Sequence, residues 1–212
     1  HRPNQPLMQA FGLGLVQPDN DDACLIATFS LTWGHDLEYE SQAQQGQRLG
    51  FSFHRTFPCV RPAITQILLL AEELRHQPER TLNNRIIRAR TGLGTIYIEA
   101  MPRYATGAGL LDFNRQLTEF GRHAVTQDPM LEQHGTQWLM HYYLSAPHGP
   151  GPAFWHDLVT TFFFVGNEFA KMQVDRRVAG FVEQTEGQSL AERTTRSAAT
   201  VFLGSYTKSD AL

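Results

Sequence analysis

The stretch from Arg85 to Arg122 limits the possible folds more than any other part of the chain. It has two isoleucines in a basic segment, Arg85-Ile-Ile-Arg-Ala-Arg90, and then Gly92 and Gly94. An apolar segment follows in which Ile98, Met101 and Tyr104 or Ala105 recur at helical spacing. Glycine readily takes the backbone angles a tight turn requires, so the pair predicts a turn between two helices. Gly107 and Gly109 predict the end of the second helix. Leu117 to Gly121 reads as a short strand running into a helix capped by Thr118. Helix, turn, helix and strand are the outline of a winged helix-turn-helix with a small β hairpin, a module that places its second helix in a DNA groove. The competing reading is a helix pair of the kind common in all-α domains that never meet nucleic acid. Pro102 predicts that the second helix is short, or bent near Met101, because proline removes one backbone hydrogen bond.

Charge sharpens the choice. The whole chain carries −3 and so has no general attraction for a polyanion. Residues 75–122, however, hold eight arginines against four acidic side chains, a local +4, while residues 1–74 carry −4 and residues 123–212 carry −3. A phosphate-binding face needs such a surplus. Arg85, Arg88, Arg90, Arg103, Arg115 and Arg122, with Thr95 at the start of the second helix, are the candidate DNA-binding residues. The alternative is a solvated face in which acidic neighbours neutralise these arginines.

The rest of the chain predicts a mainly α protein in three parts. Residues 1–50 form an N-terminal arm and variable segment. Residues 51–146 form a helical region holding the helix-turn-helix. Residues 147–212 form a C-terminal helical subdomain packed on it, with the stiff loop Pro147-His-Gly-Pro-Gly-Pro152 as the possible boundary. Cys24 to Trp33 is either a buried strand or the start of a helix. Phe51 to Pro58 alternates phenylalanine with polar residues, which predicts an extended segment with His54 and Arg55 pointing away from the core. Pro62 opens a helix whose stripe is Ile64, Ile67, Leu68, Ala71 and Leu74. Thr136 is expected to cap an aromatic helix over 137–144, a second aromatic helix covers 153–165, and two more cover 174–182 and 190–206. Ser189 and Glu192 form a capping box for the last of these.

No run of about 18 apolar residues is present, so no membrane span is expected. Two cysteines without CxxC spacing and no signal-peptide pattern point to a reducing, cytoplasmic setting, although one disulfide between Cys24 and Cys59 stays open. The first residue is His1 rather than Met, so the natural start is expected to lie upstream. The motifs HExxH, GxSxG and GxxxxGK[ST] are absent. His134, His141 and His148 are spaced by seven, but no carboxylate completes a ligand set, so no metal site and no cofactor is assigned. The densest polar set, His148, His156, Asp157, Asn167 and Glu168, falls at opposite ends of one predicted helix, about 15 Å apart at 1.5 Å per residue.

Phe53-His-Arg-Thr-Phe-Pro58, Gly92-Leu-Gly94, Gly109-Leu-Leu111, Leu117-Thr-Glu-Phe-Gly121 and Thr136-Gln-Trp-Leu-Met-His141 occur in that order. Together they resemble a family of bacterial proteins of unknown function whose members occur beside genes for DNA phosphorothioate modification, SspB-like components among them. The resemblance spans about residues 51–207. It implies a DNA-binding component of a phosphorothioate modification or defence system acting on double-stranded DNA beside other proteins of that system. It also implies a possible DNA nickase activity, for which His54 and Arg55 are the candidate catalytic pair and a divalent metal is the possible requirement. Thr95 and Glu99 stand where the family pattern has lysine or arginine, which weakens groove reading by that helix. The alternative function is a non-enzymatic interaction or scaffold module, in which the aromatic helices supply a shared core or the face of a homodimer.

Overall fold

A computed structural model describes residues 47–77, 80–186 and 190–212. Cys24, its possible pairing with Cys59, and the reading of residues 1–46 lie outside the described residues. Eight helices are seen among those described: α1 Arg61–Arg75, α2 Asn84–Arg90, α3 Thr95–Gly107, α4 Glu119–Gln127, α5 His134–Ser145, α6 Ala153–Phe162, α7 Lys171–Glu186 and α8 Glu192–Thr207. The protein is mainly α, as expected. The only β pairing among the described residues is one antiparallel bridge, Leu111 to Leu117.

Helix α1 opens with Pro62 in its first turn, where a missing N–H costs nothing, and buries all five residues of the predicted stripe. Helix α2 is short and nearly all exposed; Ile87 alone is buried. Its start is fixed by Asn83, whose side-chain oxygen accepts from the Ile86 N–H at 3.0 Å. Thr91 ends it in an extended conformation, and its hydroxyl donates to the Ile87 carbonyl at 2.8 Å.

Helix α3 is the axis of the core. It packs against α1, α2 and α5 and buries Ile98, Ala100, Met101, Pro102 and every residue from Tyr104 to Gly107. The helix continues for five residues beyond Pro102, longer than a proline-shortened rod. It ends in a Schellman motif. Leu110 N–H donates to the Ala105 carbonyl at 2.8 Å and Gly109 N–H to that of Thr106 at 3.0 Å. Gly109 has φ +74°, and a Cβ there would lie 2.5 Å from the Tyr143 ring.

The chain then passes through the bridged loop 112–116 into α4. Thr118 caps α4 as expected, accepting from Gly121 N–H at 2.9 Å and donating to the Gly109 carbonyl at 2.6 Å. Asp128 accepts from the N–H groups of Glu132 and Gln133 at 2.9 and 3.0 Å, just before α5. That helix begins at His134, so Thr136 is a buried residue inside it rather than its cap. Helix α6 stops at Phe162, leaving Phe164 and Val165 exposed. Helix α8 starts at Glu192 with Ala191 at its cap and no side-chain cap, and Ser189 lies outside the described residues.

One hydrophobic core joins residues from α1 through α8. Trp155 sits wholly buried within it, its ring centroid 5.1 Å from Phe202, 5.9 Å from Phe53 and 6.3 Å from Tyr104. In the 147–152 loop, Gly149 to Pro152 are buried. Arg48 donates to the carbonyls of Gly151, Pro147 and Ala146. No described helix is long and apolar enough to cross a membrane.

Candidate nucleic-acid interface

The bridged loop brings together several of the sequence-predicted arginines. Its closure is local: Asp112 N–H donates to the Gln116 carbonyl at 2.8 Å, and the Asp112 carboxylate accepts from Gln116 N–H at 2.8 Å. Arg115, at φ +63°, sits in the left-handed region at the loop tip. Its guanidinium reaches the first turn of α2 and donates to the Asn84 side-chain oxygen at 2.8 Å. Arg85 and Arg88 stand exposed on that same helix. Arg122, on α4, points back to the base of the loop and donates to the Leu117 carbonyl at 3.1 Å.

Arg103, on α3, is the fourth side of this arrangement. Burial and then the Arg103 charge hold the Arg115 pKa below its ordinary value. Arg115 remains charged at neutral pH because guanidinium is so strong a base. No ion pair to a carboxylate is seen for Arg85, Arg88, Arg103, Arg115 or Arg122 among the described residues. Two guanidinium groups placed near each other without an anion between them repel, and a bound anion would relieve that repulsion.

The other candidates behave differently. Arg90 is tied to Glu73 across 2.7 Å, an exposed pair between α2 and α1. Arg55 is tied to Glu99 at 2.9 Å, so the one acidic residue in the early turns of α3 is neutralised within the protein. Thr95 and Ile96 are exposed at the N-terminus of α3, but most of that helix is core. It cannot lie in a groove along its length.

His54 is buried at 4% exposure, not turned outward. Residues 51–56 form successive turns rather than an extended segment, and Arg55 and Thr56 take positive φ of 48° and 73°. The His54 Nδ1 accepts from Thr56 N–H at 3.0 Å, which places the ring proton on Nε2, and that nitrogen has no partner among the described residues. Burial pushes this imidazole down to about 4. It is a neutral ring packed edge-on to Phe53, and Arg55 beside it faces solvent. Cys59 is likewise enclosed, its thiol pushed up to about 12 by burial.

The polar set flagged around α6 does not gather. Asp157 is ion-paired with Arg177 on α7, His156 bonds the Ser145 carbonyl through Nδ1 at 2.8 Å, and His148 is exposed. Among the described residues no group of three His, Cys, Asp or Glu could hold a metal.

The sequence reading missed a cavity of about 510 Å³ walled by His141, Phe163, Phe169 and Tyr206, with Trp138 at its edge. Its one signal was the spacing of His134 and His141, which do share a face of α5 and both line this space. The remaining walls come from the continuous stretch of α6 and the 163–169 connection and, dozens of residues further on, from Tyr206 of α8 and Leu212.

Among the described residues the fold is a mainly helical domain in which Arg85, Arg88, Arg115 and Arg122 lie around a bridged loop. A family model described as a protein of unknown function, DUF4007, matches residues 51–212, and the chain belongs to that family. No curated protein and no solved structure matches it.

Proposed function

We propose that this protein binds the phosphate backbone of double-stranded DNA through Arg85, Arg88, Arg103, Arg115 and Arg122, as the DNA-binding component of a bacterial phosphorothioate modification or defence system. The reading is carried by one observation: Arg115 at the loop tip reaches α2 at Asn84, and among the described residues no ion pair to a carboxylate is seen for it or for Arg85, Arg88, Arg103 and Arg122. The chain order α2, glycine turn, α3, bridged loop supports a helix-turn-helix arrangement in which loop 112–116 serves as a minimal wing. Because α3 is committed to the core, contact is made mainly through phosphates. Phosphate contacts fix position and orientation but carry no sequence information directly, so binding is expected to be weakly sequence-dependent. The link to phosphorothioation rests on the resemblance of the motifs between Phe53 and His141. Titration of a duplex at two salt concentrations tests the binding; negligible affinity at both would defeat it.

A further inference from the structure

The cavity between α5, α6, the 163–169 connection and α8 has a lining chemistry unlike that of the arginine face. Its volume, about 510 Å³, lies within the range of small-ligand sites. None of the side chains that line it is Asp, Glu, Lys or Arg. Flat rings dominate: Phe163 lies 4.6 Å from Tyr206 and is stacked at 25° to Phe169.

The polar groups are few and held in place. Trp155 Nε1–H donates to the Tyr206 hydroxyl at 2.8 Å. The same hydroxyl lies 2.8 Å from His141 Nδ1. Trp155 fills one acceptor site of the hydroxyl, and which of the hydroxyl and Nδ1 donates in the second bond follows the His141 tautomer. Burial depresses this imidazole as well, so it stays neutral at neutral pH. Two side-chain amides complete the lining. Asn167 donates to the Phe162 carbonyl at 2.8 Å, and Gln137 to the carbonyls of Leu131 and Glu132 at 3.1 Å. Their amide nitrogens are engaged with backbone, and their carbonyl oxygens have no protein donor among the described residues.

We propose that this cavity binds a nucleobase: a flat, uncharged heteroaromatic ring carrying N–H donors. Trp138, Phe163, Phe169 and Tyr206 supply aromatic surface for the ring, and the amide oxygens of Gln137 and Asn167 accept its amino or imino hydrogens. A hydrocarbon chain would leave those oxygens unmatched, and a charged ligand would find no Asp, Glu, Lys or Arg side chain in the lining. The base can come from a free nucleoside or from a strand in which it lies outside the stack. This inference does not rest on the arginine face.

The test uses the full chain and four probes: adenosine, cytidine, a short single-stranded oligonucleotide with one 2-aminopurine, and the same oligonucleotide with an abasic site in its place. Trp138, 44% exposed at the rim, and the 2-aminopurine report stacking by fluorescence. Wild-type protein is expected to quench the 2-aminopurine, and a free nucleoside is expected to compete. Trp138→Ala is expected to weaken binding about 5- to 150-fold, the range for losing one base–aromatic stack. Val165→Glu, at a 72% exposed lining position, tests occlusion without touching the core. Equal binding of the abasic strand would overturn the proposal while leaving phosphate binding intact. So would equal affinity in wild type and both variants, or a tryptophan response to an apolar dye that no nucleoside displaces. Competition by nucleoside at wild-type affinity in an Arg85→Gln, Arg88→Gln variant whose duplex binding is weakened would uphold the cavity and separate it from the cationic face.

Discussion

Replacing Arg85 and Arg88 together by glutamine removes two exposed charges from α2 and leaves the fold alone, since neither side chain is buried. Binding to duplex DNA releases counterions in proportion to the phosphates neutralised, with a log–log salt slope of about −0.9 per contact. Five arginines without acidic partners therefore give a wild-type slope of about −4.5. Between 50 and 200 mM salt the association constant should fall about 500-fold. The double variant keeps three contacts, so its slope should be about −2.7 and its fall about 40-fold. Fluorescence anisotropy with a labelled duplex of arbitrary sequence, read at four salt concentrations, yields both slopes.

The comparison that decides the matter is Arg90→Gln. Arg90 belongs to the same helix, and a simple count of basic residues gives it equal weight. Its guanidinium is held by Glu73 at 2.7 Å, so a phosphate must displace a carboxylate to reach it. The slope should therefore change by clearly less than about 0.9 on its removal. If Arg90→Gln flattens the slope as much as Arg85→Gln or Arg88→Gln, the pairing seen here does not govern the surface. If the double variant keeps the wild-type slope, α2 is not on the DNA.

Three further perturbations follow from the same structure. Glu73→Gln should release Arg90 and steepen the salt slope by up to about 0.9, seen as tighter duplex binding at low salt in the same anisotropy assay; unchanged binding would place Arg90 outside the contact. His54 and His141 are both depressed to about 4 from an ordinary 6.5, so the unfolded chain takes up protons before the folded one does. Stability is then complete above pH 6.5 and lost as pH falls towards 4, by about 2 kcal/mol per histidine between pH 8 and pH 5. Urea unfolding at those two pH values, repeated on His141→Gln, should show a smaller drop for the variant. Gly121→Ala would place a Cβ 1.9 Å from the Leu110 carbonyl oxygen, and a cost of at least about 3 kcal/mol is expected. Gly180→Ala, in open space on α7, should gain about 1 kcal/mol; thermal melts should separate the two in opposite directions.

Local signals in the sequence carried most of the fold. The first-turn proline and five-residue stripe of α1, the Thr118 cap and the glycine that ends α3 are all rules of a few neighbouring residues. Structure that depends on distant partners was not legible in that way. The Phe51–Pro58 alternation implied an extended strand. Instead Phe53 is drawn into the cluster around Trp155 and Tyr104, and the chain turns to deliver it, burying His54 on the way. Arg90 and Glu73 are seventeen residues apart and Arg55 and Glu99 forty-four, so the charge tally over residues 75–122 could not show which cations are neutralised. The aromatic cavity is assembled from α5, the stretch 159–169 and the C-terminal residues Tyr206 and Leu212, and no window of sequence holds it.

The place of α3 was legible, and it bears most directly on function. Between Thr95 and Gly107 only Glu99 and Arg103 are charged; with Thr95 they form one narrow polar stripe at i, i+4 and i+8, and apolar or small residues occupy most of the rest of the helix. A helix with so narrow a polar stripe is mostly buried, whereas one that reads a DNA groove must present polar side chains along an exposed face. The helix-turn-helix outline fixed attention on α3 as the reader, but its composition assigns it to the core. The cations then lie on its neighbours: Arg85 and Arg88 on α2, Arg115 at the loop tip and Arg122 on α4, with Arg103 the one contribution from α3 itself. On the proposed reading, a surface built that way would hold a backbone and discriminate little among sequences, so sequence specificity would have to come from elsewhere in the protein or from a partner.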